Sequence, residues 1–114
     1  AMHEMSLAES VRKLIEAAAQ RERFTRVRTV WLEIGRWSCV EPEALAFCFD
    51  AVMRGSVAEN ARLEVIALPG SAWCAHCAAT VDVDDALDPC PRCGRFGLRI
   101  DGGTEMRVRE LEVE

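Results

Sequence analysis

No apolar run in this 114-residue sequence approaches the roughly 20 residues that a membrane span needs. The opening, Ala1-Met2-His3-Glu4, lacks the basic-then-apolar layout of a signal peptide, so the expected location is the cytoplasm. Histidine is scarce, with only His3 and His76 present. No Ser/His/Asp or metal-water constellation forms around them, and the chain is not expected to be an enzyme. Positive charge is also in deficit: the formal net charge is -5. Four thiolates around one Zn²⁺ would add a further -2 to the -5 counted with neutral thiols. Phosphate binding needs a concentrated basic surface, so nucleic acid is not an expected partner. The cluster Arg21, Arg23, Arg26 and Arg28 reads instead as a solvated helix end and one polar strand face. Large apolar residues are few between Ser71 and Gly103. A segment that short builds no core alone, and a metal is expected to hold it together.

Elsewhere the composition is that of an ordinary globular chain, half hydrophobic and 29% charged. The length suits one compact domain, or one domain with a small excursion. Ser6 to about Gln20 reads as a helix. Ser6 and Glu9 offer a capping box, and Leu7, Val11, Leu14 and Ala18, with Ala8 and Ile15, supply an apolar stripe. Thr25 to Ile34 reads as a strand, with Val30, Leu32 and Ile34 on one face and Val27, Thr29 and Trp31 on the other. Pro42 fits the first turn of a second helix whose stripe is Leu45, Cys48, Phe49, Val52 and Met53, and Gly55 suits its end. Cys48 lies on that stripe and reads as a buried, inert thiol. Arg62 to Leu68 is a further strand, carrying Leu63 and Val65 on one face. Met106 to Val113 is the last strand, and its alternation changes phase. Either a bulge near Arg109 or a strand covered on both faces accounts for that.

The expected fold is therefore α+β: a small mixed β-sheet with two helices on one face, plus an inserted zinc-ribbon-like four-cysteine subdomain. The expected domains are 2–68 with 104–114 as a nickel-binding α/β body, and 69–103 as the zinc-binding insertion.

The insertion carries Cys74, Cys77, Cys90 and Cys93 as C-x2-C-x12-C-x2-C. Two residues between cysteines let both sulfurs reach one ion while the intervening amides point at the thiolates. Two such knuckles complete a tetrahedral shell. In a reducing compartment this is a zinc site and not a pair of disulfides. With four protein ligands no position stays open for water, so the zinc is structural. A hairpin is expected between the knuckles, with Thr80 to Val83 as one arm and an Asp-rich turn (Asp84, Asp85, Asp88). Gly94 follows the second knuckle, where a positive φ is commonly needed; Ala78 stands at the equivalent place after the first, so that turn is expected to be either slightly strained or differently shaped. His76, inside the first knuckle, either replaces a thiolate, donates to a sulfur or is solvated.

A histidine beside a chain terminus can bind through its imidazole, neighbouring deprotonated amides and the terminal amine. That planar, nitrogen-rich donor set suits Ni²⁺ or Cu²⁺. Taken with the rest of the chain, His3 gains weight. Met2-His3-Glu4-Met5-Ser6-Leu7, Leu32-Glu33-Ile34-Gly35, Val40-Glu41-Pro42-Glu43-Ala44-Leu45 with Phe47 and Phe49, Ala61-Arg62-Leu63, the two knuckles and Gly103-Thr104-Glu105-Met106 together resemble the HypA/HybF family of hydrogenase maturation nickel chaperones. The resemblance runs along essentially the whole chain. Departures are Ala78, where glycine is usual, and Cys39, where a small residue is common.

The resemblance implies a nickel metallochaperone with a nickel-binding α/β domain and a zinc domain. It implies His3 as the essential nickel ligand, with Glu4 beside it as the second-choice nickel ligand, tuning the site or contacting a partner. Met2 contributes through its backbone. Ni²⁺ is the cargo and Zn²⁺ the structural ion. The implied partners are the GTPase HypB and the large subunit of [NiFe]-hydrogenase, and in some organisms the urease maturation proteins. The resemblance implies a natural start at the residue numbered Met2 here, so Ala1 is expected to be a cloning remnant.

Overall fold

The computed structural model describes residues 2–114, and of Met2 its backbone only. Its elements are α1 (Met2–Glu22), β1 (Val27–Gly35), α2 (Pro42–Met53), β2 (Arg62–Leu68), β3 (Gly70–Cys74), β4 (Ala79–Val83), β5 (Arg99–Gly102) and β6 (Met106–Val113). They form two three-stranded sheets, ordered β2-β1-β6 and β4-β3-β5. In the first sheet, the Val27 amide donates to the Val57 carbonyl and the Arg36 amide to that of Leu68, so β1 and β2 ascend together. Bonds from the Gly35 amide to the Glu105 carbonyl and from the Glu114 amide to that of Arg26 set β6 antiparallel to β1. The sheet is mixed, as expected.

Helix α1 starts four residues before the expected Ser6, so no Ser6–Glu9 capping box exists: Ser6 is interior, and its carbonyl accepts from the Ser10 hydroxyl. The buried stripe is Glu4, Ala8, Val11, Ile15 and Ala19, which recurs at the spacing of one helix face. It is turned from the expected stripe: Leu14 is 57% exposed. Helix α2 follows its expected pattern, with Leu45, Cys48, Phe49 and Met53 buried. Glu41 caps it and Pro42 fills its first turn, while Gly55 just beyond its end takes φ 79°. The two helices run side by side in the same direction. Glu4 of α1 meets Glu41 at the start of α2, and the Arg12 guanidinium donates to the Val52 and Arg54 carbonyls at its end, at 2.7 and 3.3 Å. Those carbonyls lack intrahelical partners, and a cation is favoured there.

The chain divides into two compact units. The first holds the residues up to Leu32, with Val40–Ile66 and Arg107–Glu114; the second holds Glu33–Cys39 and Ala67–Met106. The second thus takes residues 33–39, which the sequence pattern had placed with the body. Trp37 is the physical reason. It packs against the core of the second unit, formed by Ala72, Cys74, Val81, Val83 and Cys90. A Cβ at Gly70 would overlap its indole ring. The Trp37 indole N–H and the Arg36 guanidinium both donate to the Asp84 carbonyl. Strand β3, unforeseen from sequence, pairs antiparallel with β4 and β5. The expected hairpin therefore forms before the second knuckle and not between the two: Thr80–Val83 pairs back onto β3.

Candidate metal centre

Strands β3 and β4 present the first knuckle. Cys74 ends β3 and Ala79 opens β4, with Cys74 and Ala79 paired in register across the turn. The Cys77 amide donates to the Cys74 sulfur at 3.5 Å and the Arg92 amide to the Cys90 sulfur at 3.4 Å. Each knuckle thus turns a backbone amide toward a sulfur, as the C-x2-C spacing requires. The second knuckle is closed by the Gly94 amide on the Cys90 carbonyl and the Cys90 amide on the Arg95 carbonyl, each at 2.8 Å.

The sulfurs of Cys74, Cys77, Cys90 and Cys93 lie within 4.8 Å of one another, the one such metal-competent group among the described residues. Cys74 and Cys93 are 3.7 Å apart and Cys77 and Cys90 3.9 Å. A tetrahedral ion with metal–sulfur bonds of about 2.3 Å sets its ligands about 3.8 Å apart. The four thiols fit such an ion. All four are free of disulfides, with Cys74 and Cys90 buried.

Electrostatics support the same reading. Burial pushes the Cys77 thiol up, and hydrogen bonds with its three neighbouring thiols push it further, to about 12. Burial also acts upward on Cys90, but the Cys93 and Arg92 amides and two neighbouring thiols outweigh it and bring it to about 7. A set of adjacent thiols cannot ionise together unless a cation neutralises them.

His76 takes no place in the shell. It is exposed and meets the Arg95 guanidinium through Nδ1. Ala78 adopts φ 50°, the conformation that Gly94 takes at φ 78° after the second knuckle. Cys48 is buried in α2, and Cys39 is exposed in the loop before it at φ 62°. Sequence reasoning did not find Trp37 as a wall of the metal-bearing core. The available signal was an aromatic two residues past Gly35, with glycines at 70 and 103 leaving room for it.

At the amino terminus, His3 is exposed on the first turn of α1. Glu4 beside it is 5% exposed. Its carboxylate accepts from the Glu41 amide at 3.4 Å. Burial acts to raise the Glu4 pKa, but that bond and its own amide help hold it below the usual carboxylate range. Met2 lies in the same first turn, and Ala1 is outside the described residues.

An α+β body with a four-thiolate metal site on paired knuckles defines a small metal-handling protein. The family described as "Hydrogenase/urease nickel incorporation, metallochaperone, hypA" matches residues 2–113. The hydrogenase maturation factor HypA of Albidiferax ferrireducens is 62% identical over 113 residues, covering 99% of this chain and all of that protein. Its counterpart from Azotobacter chroococcum is 55% identical over the same coverage. A solved HypA structure superposes with a TM-score of 0.75 at 26% identity, covering 100% of this chain and 98% of that one. The solution structure of the Ni metallochaperone HypA from Helicobacter pylori shares the fold, with a TM-score of 0.73 at 23% identity and 96% coverage of both chains. The chain belongs to the HypA family of nickel metallochaperones for hydrogenase maturation.

Proposed function

We propose that this chain binds Ni²⁺ at its amino-terminal end and delivers it to [NiFe]-hydrogenase, while Zn²⁺ in the four-cysteine site holds the second unit together. Membership of a nickel-incorporation family along residues 2–113 carries the reading. The exposed placement of His3 at the head of α1 supports it. The nickel ligands are the His3 imidazole and backbone nitrogens that include Met2. The Glu4 carboxylate, buried and engaged, tunes the site from beside it. GTPase HypB and the hydrogenase large subunit are the partners, in the cytoplasm, and urease is a second client in some organisms.

A shuttle must hold its ion against the cytosol and still give it up. Backbone amides and one imidazole do both, because docking or protonation that breaks one donor weakens a planar set as a whole. No chemistry on the cargo is needed. Zinc is the ion chosen for the thiolate shell because four cysteine sulfurs at tetrahedral spacing are its preferred closed site. Metal analysis of purified protein should find one Zn²⁺ per chain. Its absence, with all four thiols reacting at once with an electrophile, would overturn the assignment.

A further inference from the structure

The open face of the second unit's sheet carries a patch that the metal centre does not use. Along β3, Gly70, Ala72 and Cys74 are buried, while Ser71 and Trp73 are half-buried on the other face. Trp73 pairs with Thr80 of β4 and with Arg99 of β5. Residues paired directly across strands share a face, so Arg99 lies beside the indole. Three residues after Trp73, His76 meets the Arg95 guanidinium through Nδ1. These two contacts join β3 and the turn after it to both ends of the 95–99 segment, and Phe96 lies between them. Its ring is 75% exposed. Gly94 and Gly97, on either side of it, have open space around them, so nothing crowds this loop.

The patch is cationic. No acidic residue occurs between Pro89 and Ile100, against three arginines, Arg92, Arg95 and Arg99, all exposed. None of the three forms an ion pair among the described residues, whereas Arg12, Arg28 and Arg62 of the first unit do. The carboxylate nearest to Arg99 in sequence is that of Asp101, which accepts from the Ser71 and Thr80 hydroxyls at 2.7 and 3.2 Å. Charge balance with the thiolates accounts for arginines beside the knuckles but not for an exposed phenyl ring among them. Arginine with Trp and Phe is the composition of a recognition surface. The guanidinium fork pairs a carboxylate through two hydrogen bonds, and the rings bury apolar area.

We propose that this face is a docking surface for an extended acidic segment of a partner protein, one that carries an apolar side chain among its carboxylates. Arg95 and Arg99 pair with the carboxylates, and Phe96 and Trp73 cover the apolar side chain. The assignment is independent of where nickel binds.

The test uses the zinc-loaded full chain and a labelled copolymer of glutamate and phenylalanine, with polyglutamate and oligothymidylate as comparisons. Fluorescence anisotropy should show the copolymer binding best, and NMR should show shifts of the Trp73 indole N–H and of the amides of residues 95–99. Raising salt until the Debye length falls from about 30 Å to about 10 Å should weaken binding several-fold. Arg99→Glu and Phe96→Ser should each weaken it about tenfold or more. Lys13→Glu makes the same change in net charge as Arg99→Glu but on α1, and should bind as the parent does. If a variant loses its zinc, the NMR map of the parent chain still decides. No binding of the copolymer would overturn the proposal, as would equal binding of polyglutamate, which leaves the rings no part. Equal loss in Lys13→Glu would reduce the effect to net charge and overturn it too. So would tighter binding of the oligothymidylate. A parent chain that sediments as a dimer and becomes monomeric in Phe96→Ser would give the patch to a second copy instead.

Discussion

The residues that carry the metal chemistry are a few, and their spacing exposed most of them. Four cysteines in matched pairs announced a four-thiolate shell, and a strand turn brings their sulfurs to tetrahedral spacing. Ala78 was legible too: the glycine expected there is missing, and the alanine takes φ 50°. A left-handed conformation costs a non-glycine residue about 1–2 kcal/mol. Ala78→Gly should relieve most of that cost, slowing metal loss to a chelator and raising the second unit's midpoint in denaturant by the equivalent of about 1 kcal/mol. An unchanged rate and midpoint would show that the turn is not strained. The pH dependence follows from the thiols. Cys77, pushed up to about 12 by burial and its thiol neighbours, keeps its proton at neutral pH in the metal-free cluster. Cys90, at about 7, is near its midpoint there. Metal must expel the Cys77 proton, so affinity rises with pH, by about tenfold per unit for each proton displaced, and acid releases the ion. Metal-release titrations between pH 5 and 8 would check the slope. Trp37 was not legible, because its partners at Gly70 and Gly103 are distant in sequence and only the fold brings them to it.

Among the elements, helix α2 was read from a proline in the first turn, an apolar stripe and a glycine past the end, and strand β2 from the apolar residues of Arg62–Leu68. Helix α1 was misread in start and rotation for one reason. Its stripe begins with Glu4, a carboxylate that periodicity of apolar residues passes over. Strand β6 is not covered on both faces; its phase shifts across the neighbouring exposed residues Arg109 and Glu110. Strand β3 was missed because Pro69-Gly70 looked like a break, and its apolar content is small. The parallel course of α1 and α2 gives Arg12 a role that no sequence pattern states. Arg12→Met keeps the apolar stem and removes the donors to the Val52 and Arg54 carbonyls. The partly exposed site should lose about 1 kcal/mol of stability. Denaturant melts followed by helical circular dichroism would measure it, and an unchanged midpoint would mean that water caps α2 equally well.

At the scale of the whole molecule, the second unit has a core of only five buried residues, two of which are metal-site cysteines. Removing the ion takes away folding free energy on the order of 10 kcal/mol from a segment with little else to hold it. Chelation, or Cys90→Ser, should therefore unfold residues 67–106 while α1 and α2 keep their helical signal. Loss of both together would mean that the first unit does not stand alone. The order of elements was readable because each helix and strand has its own periodicity. The boundary at Glu33 was not, because β1 runs through it without a break. The central claim is that the cargo ion sits at the amino terminus and not among the thiolates. One titration tests it most directly: Ni²⁺ into the zinc-loaded chain and into its His3→Ala variant, followed by absorption spectroscopy. The expected result is a nitrogen-dominated square-planar spectrum that His3→Ala abolishes and that fades as pH falls toward imidazole protonation near about 6.5. Thiolate-to-nickel charge transfer that persists in His3→Ala would place nickel at the knuckles and contradict the account.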